Sequence, residues 1–136
     1  MKDPFEELLG QLSTVLELEL QLDHHHLVAL RIRDRLAIQI QENREKKQVL
    51  LIAGLCEVGP GKFRENVCAE ALKANSGFAH RPGTLGYLAM KNMLTLHLAY
   101  PLEELDGKKL ALLMSNFIEY AEQWQRAIEK GQVGPA

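Results

Sequence analysis

Apolar side chains in the first sixteen positions repeat at the spacing of one helix face. The residues that share this face are Phe5, Leu8, Leu9, Leu12, Val15 and Leu16. Asp3 suits the N-cap, Pro4 suits the first helical position, and Glu6 follows three residues after the cap, as in a capping box. The pattern predicts an amphipathic helix that begins at Pro4 and ends near Leu16.

Beyond Leu16 the apolar period changes to strict alternation. Leucines at positions 16, 18, 20 and 22 alternate with Glu17, Glu19 and Gln21, which is the period of a half-buried strand. Leucine and glutamate both favour helix, so two interpretations stay open, a strand from Leu18 to Leu22 or a continuation of the first helix. The residues that follow, Asp23 to His26, are predicted to form a turn.

Three apolar segments after this turn have the features of strands. They run from Leu27 to Ile32, from Leu36 to Gln41 and from Val49 to Val58. The charged Arg33-Asp34-Arg35 joins the first two. The third is apolar on both faces, which is typical of a central strand covered by a helix on one side and by a helix or a partner on the other.

The second half of the chain predicts a helix, two strands and a long helix. Gly59-Pro60-Gly61 starts the helix, whose apolar stripe is Phe63, Val67, Ala71, Ala74 and Phe78, and Gly77 is its expected C-cap. Strands follow from Thr84 to Lys91 and from Met93 to Tyr100. Asp106 then caps a final helix that reaches Ile128, and its Phe117 and Trp124 are expected in the core.

The order of these elements is α-β-β-β-α-β-β-α. Strands that cluster in hairpins with helices between them predict an α+β fold, here a five-stranded twisted antiparallel sheet with three helices. A chain of 136 residues suits one domain, which we assign to residues 1–130, followed by a flexible Gly- and Pro-containing tail at 131–136.

Composition and charge exclude several classes of protein. With 16 basic and 18 acidic residues and a net charge of −2, the chain lacks the basic surface of a nucleic-acid binder. Its apolar runs are far shorter than the ~20 residues that span a bilayer, and the acidic N-terminus does not resemble a secretory signal. Cys56 and Cys68 have no CxxC spacing. We therefore expect a cytoplasmic protein that binds neither nucleic acid nor membrane.

One cluster resembles a metal site, the turn Asp23-His24-His25-His26. Adjacent side chains in extended backbone point in alternate directions, so one ion would need His80, His97 or a second chain as well. A solvated turn is the favoured interpretation. The serines and cysteines lie in no nucleophile motif, so we expect no enzymatic activity, no cofactor and no metal.

Three arginines, Arg31, Arg33 and Arg35, recur at period two near the first hairpin. This spacing would place them on one face of a strand and its turn, where they could contact a small anion. Protection of a sheet edge by charge is the favoured interpretation.

The remaining anomaly is a surplus of apolar surface on short elements. Aliphatic stripes occur on the first helix, on Leu18 to Leu22 and on the first two strands, and a sheet this small can hardly cover all of them. Exposed apolar surface of this extent usually marks a protein interface. The sequence therefore indicates a protein partner.

Three segments carry a resemblance to a known family. They are Tyr100 to Leu105 leading into Leu110 to Trp124, the helix segment Phe63 to Asn75, and Leu18 to Asp23 followed by Leu27 to Ile32. Together they resemble the class I type III secretion chaperones, the Tir chaperone or CesT-like family, over nearly the whole chain. The likeness lies in apolar spacing and contains no catalytic signature.

This resemblance implies a cytoplasmic homodimer that binds the N-terminal region of one secreted effector in extended form, keeps it soluble and export-competent, and does no chemistry. A further partner that it implies is the ATPase of the secretion apparatus. Two alternatives remain, a regulatory or scaffold protein of the same fold that binds a transcription or secretion component, and a small metal-dependent enzyme built on Asp23 to His26.

The resemblance also suggests where the two interfaces lie. We expect the effector-binding residues on the first helix and adjoining strands, at Phe5, Leu9, Leu12, Leu18, Leu20, Leu30, Ile32, Leu36 and Ile38. We expect the dimer interface on the second helix and last strands, at Val67, Ala71, Leu72, Leu94, Leu96 and Leu98.

Overall fold

The computed structural model describes residues 3–77 and 81–135. The helices are α1 (Pro4–Leu16), α2 (Lys62–Asn75) and α3 (Gly107–Glu129), and the strands are β1 (Leu27–Ile32), β2 (Leu36–Asn43), β3 (Gln48–Glu57), β4 (Thr84–Leu88) and β5 (Met93–Pro101). This order confirms the predicted α-β-β-β-α-β-β-α arrangement. Phe78 and His80, which entered the sequence predictions, lie outside the described residues.

All five strands form one antiparallel sheet in the order β1-β2-β3-β5-β4. β3 lies in the middle, as its two-sided apolar pattern predicts. β1 and β4 are the edges, which the sequence alone did not identify.

The core lies between one face of this sheet and the helices α1 and α3. Alternate residues of the inner strands are buried, among them Leu36, Ile38 and Ile40 on β2. α3 buries Phe117 and Trp124, as expected from its helical stripe. α2 contributes less, with only Val67 and Ala71 fully buried. A broad face of α2 therefore stays at the surface.

The segment between α1 and β1 differs from both of its predictions. Residues Leu18 to Leu22 form neither a strand nor more of the first helix. α1 stops because Glu17 adopts a left-handed conformation, and the backbone N–H groups of Glu17 and Leu18 bond back to Thr14 and Ser13 in a Schellman motif. The alternation has a structural basis only at its end, where Leu20 and Leu22 pack on the core and Glu19 and Gln21 are exposed, whereas Leu18 is itself 50% exposed.

Three local predictions are corrected by the structure. β4 ends at Leu88 and not at Lys91, because a short 3₁₀ turn (Ala89–Lys91) and a left-handed Asn92 reverse the chain there. The C-cap of α2 is Ser76, one residue before the expected Gly77. Asp3 sits at the N-cap of α1 but its side chain accepts no capping hydrogen bond, whereas Asp106 caps α3 as predicted by accepting from the Lys109 N–H at 2.8 Å.

The chain turns back after α3. Gly131 has a φ of 81°, and the N–H groups of Gly131 and Gln132 bond to Ile128 and Ala127 in a second Schellman motif. This turn brings Gly134 against the Trp124 ring. Flexibility of the tail beyond this contact stays a prediction.

Candidate peptide-binding groove

An open groove of about 700 Å³ runs between β1 and α3. Its apolar lining comes from three elements, the end of α1 with the segment that follows it, the end of β1, and the exposed side of α3. The aliphatic residues are Leu16, Leu18, Leu30, Ile32, Ala111 and Ile118. Leu16 and Leu18 are exposed, and Leu30 and Ile32 are half-buried. The groove therefore presents apolar surface to solvent.

Charged side chains line the other part of the groove around a buried acid. Glu122 on α3 is only 5% exposed. Its Oε1 lies 3.5 Å from Nη1 of Arg33, and its Oε2 lies 3.7 Å from Nη2 of Arg126. Both separations are longer than a good hydrogen bond, and Oε2 has no hydrogen-bond partner among the described residues.

The edge of β1 beside this groove carries unpaired backbone groups. The Leu27 carbonyl accepts from the Asp23 N–H at 3.0 Å, and the Leu27 N–H donates to Oδ1 of Asp23 at 3.3 Å. The backbone N–H and C=O of Leu27 therefore point away from β2. Backbone direction alternates along a strand, which directs the N–H and C=O of Ala29 and Arg31 to the same outer side. Among the described residues no hydrogen bond reaches the outer side of β1 at these two positions.

The opposite edge of the sheet, β4, is bonded to α2 at Leu85. The Asn75 amide donates from Nδ2 to the Leu85 carbonyl at 2.8 Å, and its Oδ1 accepts from the Leu85 N–H at 2.9 Å. Arg64 on α2 also stacks over the Tyr87 ring of β4, with 5.6 Å to its centroid. Asn75 on α2 thus occupies the Leu85 position of β4, whereas Ala29 and Arg31 on β1 have free backbone groups next to apolar surface.

α3 holds the hairpin of β1 and β2 in a fixed position. Nε2 of Gln125 donates to the carbonyls of Arg35 and Leu55 at 2.9 and 2.8 Å. Arg35 also forms an ion pair with Glu129. These contacts fasten the turn between β1 and β2 to α3, so the two walls of the groove keep their spacing without a ligand.

The three arginines of this hairpin do not share one face, contrary to the sequence interpretation. Arg33 and Asp34 are both left-handed, with φ of 51° and 57°, so the turn separates the side chains. Arg31 pairs with Asp34, while Arg33 and Arg35 reach Glu122 and Glu129 on α3. The arginines therefore meet acids of this chain rather than forming an anion site.

The structure divides the nine residues expected to bind an effector. Phe5, Leu9, Leu12, Leu36 and Ile38 are fully buried inside the subunit, where a partner cannot touch them unless the core opens. Leu18, Leu30 and Ile32 line the groove, and Leu20 packs beside them, half-buried. α3, the other wall of the groove, was not among the elements expected to bind an effector. The available signal was Glu122, a charged residue next to the apolar stripe of a helix assigned wholly to the core.

The residues expected at a dimer interface divide in the same way. Val67, Ala71, Leu94 and Leu96 are buried within the subunit. Leu98 is half-buried, and Leu72 on α2 is 69% exposed. Two further apolar side chains near the end of β4 are exposed, Leu88 and Met90, the latter 93%. These three exposed side chains, Leu72, Leu88 and Met90, are together called the α2–β4 patch below.

The histidine turn is not assembled as a metal centre. Oδ1 of Asp23 accepts from the His25 N–H at 2.7 Å and stabilises the turn itself. Desolvation raises the pKa of Asp23, but the hydrogen bonds from the His25 and Leu27 N–H groups and the nearby His24 and His25 side chains lower it, so that this pKa lies below its ordinary value. His97 lies on β5, three strands or roughly 14 Å from β1. Within 3–77 and 81–135, no three potential ligand side chains come together.

Two other features are the ionisation of the Cys56 thiol and the length and polarity of the helices. Burial, with Glu129 nearby as a like charge, raises the pKa of the Cys56 thiol to about 11, which disfavours its nucleophilic thiolate. None of the helices in the described part of the chain is both apolar enough and long enough to cross a bilayer.

The chain matches one protein-family model and is similar to several solved structures. The family model of the Tir chaperone protein (CesT) family matches residues 7–125. Among solved structures, the chain is similar to one in the HopA1–SchA chaperone–effector complex, with a TM-score of 0.74, 24% identity, and coverage of 91% of this chain and 94% of the other. No curated protein matches the sequence at a significant level.

Two further structures have the same fold. A chain of the ExsC–ExsE complex gives a TM-score of 0.70 at 19% identity, covering 90% of this chain and 91% of the other. A chain of the ExoT–SpcS complex from Pseudomonas aeruginosa gives 0.67 at 19% identity, covering 90% and 97%. Because the family model matches most of the sequence, this chain belongs to the Tir chaperone protein (CesT) family.

Proposed function

We propose that this protein is a type III secretion chaperone that binds the N-terminal region of a secreted effector in extended form. The observation that carries the proposal is the free edge of β1 at Ala29 and Arg31 beside the apolar groove. A strand edge and an adjacent row of apolar pockets are what an extended peptide requires for binding. Membership of the CesT family and the complexes in which similar chains were solved, HopA1–SchA and ExoT–SpcS, support this choice.

Binding would proceed by addition of a strand. Backbone groups of the effector segment pair with Ala29 and Arg31, and every second side chain of the segment enters the groove between Leu18, Leu30 and Ile118. The backbone bonds supply affinity for any extended chain, while the pockets select apolar side chains at alternate positions. An effector held in this way stays unfolded, since its apolar residues are engaged before its own core can form.

We also propose that the protein is a homodimer that pairs through the α2–β4 patch. Leu72 and Met90 expose more of their surface than any other large apolar side chains described, and they belong to α2 and to the turn after β4. Asn75 on α2 already occupies the backbone groups of Leu85 at this edge. The second copy would therefore pack side chain against side chain, and leave β1 free on both subunits.

The proposed site of action is the cytoplasm, and the proposed further partner is the ATPase of the secretion apparatus. Both follow from the family role. A chaperone that delivers an unfolded segment must bind it before export and release it at the export machine.

Co-purification from the native cytosol tests this function. Wild-type protein and the groove variant Leu18→Asp are used as baits, and retained proteins are identified by mass spectrometry. We expect wild type, but not the variant, to retain a secreted protein whose binding region maps to its N-terminus by truncation. A retained transcription regulator would support the regulatory alternative instead, and equal retention by both baits would contradict the groove assignment.

A further inference from the structure

The feature that the apolar groove does not explain is Glu122. A carboxylate that is 5% exposed needs hydrogen bonds to offset its lost hydration, yet its buried Oε2 has none from the described residues, and its two arginine contacts are ion pairs at 3.5 and 3.7 Å. Its side chain also forms part of the groove lining. An unsatisfied acceptor in a binding groove indicates a donor supplied by the ligand.

The charges around Glu122 limit what kind of donor fits. Arg33 and Arg126 already lie within 4 Å of the Glu122 carboxylate, two positive charges against its single negative charge. A lysine or arginine of the client would meet this excess of positive charge, whereas a hydroxyl or carboxamide donates without it. Arg126 is half exposed, so its side chain can rotate and give such a donor access to Oε2.

We propose that Glu122 is a specificity residue that selects clients with a neutral hydrogen-bond donor, Ser, Thr, Asn or Gln, within an otherwise apolar alternating segment. This inference rests on the proposed function, because it assumes that the groove takes an extended peptide. It adds that Glu122 contacts one polar position of the bound segment, while Leu30 and Ile118 contact its apolar positions.

The position of Glu122 supports this role. It lies one helical turn beyond Ile118 and beside the end of β1, where Arg33 leaves the strand. A peptide paired with β1 would pass the aliphatic residues and then reach the carboxylate. The donor is therefore expected near one end of the bound segment, not at its centre.

Selection of a random peptide library tests the inference with three proteins, wild type, Glu122→Gln and Glu45→Gln. Glu45 is an exposed acid in the turn between β2 and β3 and is not part of the groove lining, so its variant removes the same charge away from the site. We expect wild type and Glu45→Gln to select alternating apolar peptides with a Ser, Thr, Asn or Gln at one fixed position. Glu122→Gln should select the apolar pattern without that preference.

Affinities of the best peptide then measure the coupling. Replacing its donor residue with Ala should weaken binding to wild type roughly tenfold or more, and should have little effect on Glu122→Gln. If Glu122→Gln does not fold, the residue types that wild type enriches at each peptide position still test the inference. Peptides with no fixed donor, or with Lys or Arg there, would overturn the inference and leave the proposed function intact. If no selected peptide loses its binding to the Leu18→Asp variant, both the inference and the proposed function are overturned.

Discussion

Asn75 on α2 pairs with Leu85 on β4 through two hydrogen bonds, one in each direction, as a neighbouring strand would. At the other edge of the sheet Asp23 bonds to Leu27 in the same two directions, but Ala29 and Arg31 further along β1 have no such bonds among the described residues. Open strand edges invite pairing with other chains, and these open positions of β1 lie beside the apolar groove, which favours strand addition there.

Removal of this amide should destabilise the subunit. Asn75→Ala leaves the N–H and C=O of Leu85 without their partners in a half-covered position, and we expect it to lower the free energy of unfolding by about 1–3 kcal/mol. Urea denaturation measures this. Ser76→Ala, which removes an exposed hydroxyl one residue away, is the matched control and should change stability by less than about 0.5 kcal/mol. Equal stability of the two variants would contradict a structural role for Asn75.

A single charge in the groove should weaken client binding without unfolding the protein. Leu18 is 50% exposed, so Leu18→Asp costs the free subunit little, but it removes apolar contact that the client would cover. We expect the affinity for the client segment to fall at least about tenfold by calorimetry. Leu112→Asp changes another exposed leucine, on α3 but not in the groove lining, and should bind as wild type does.

The dimer prediction can be separated from the groove in the same way. Leu72→Arg places a charge in the α2–β4 patch, and a buried charge without a partner should drive the subunits apart. Light scattering coupled to gel filtration is expected to give the monomer mass for Leu72→Arg and the dimer mass for Leu112→Arg, whose parent leucine is similarly exposed at 62%. A dimer in both variants would exclude this patch as the interface.

The Cys56 thiol should react slowly. Its pKa of about 11 leaves little thiolate at pH 8, so alkylation in a Cys68→Ser background should run at least tenfold slower than for a free thiol, and speed up as the pH rises towards 11. The unfolded thiol ionises first, near 9, so the contribution of Cys56 to stability is lost between about pH 9 and 11. Fast alkylation of the folded protein at pH 8 would contradict the burial of this thiol.

The fold was predictable from the sequence because its signals are local. Helical stripes, alternating strands and caps such as Asp106 depend on neighbours a few residues apart, and they predicted the element order. The segment at Leu18 to Leu22 was not predictable. Its alternation matches a strand, but the left-handed Glu17 ends the helix and no backbone ladder forms.

The site was only partly predictable, since exposure depends on tertiary packing. Ile38 and Leu30 show the same apolar alternation in the sequence, yet Ile38 lies under the helices and Leu30 beside the groove at a sheet edge. An Asp at Ile38 would therefore unfold the subunit and would not report on client binding. The pairing of Glu122 with Arg33 joins residues far apart in the chain, and no local pattern could indicate it.

Hydrogen exchange of the client complex tests the central claim most directly. In the free protein, the amides of Ala29 and Arg31 point away from β2 and should exchange fast, whereas those of Val28 and Leu30 should be protected. Strand addition at β1 predicts that the client slows exchange at Ala29 and Arg31 at least tenfold and leaves β4 unchanged. Unaltered exchange at both amides in a saturated complex would contradict the account.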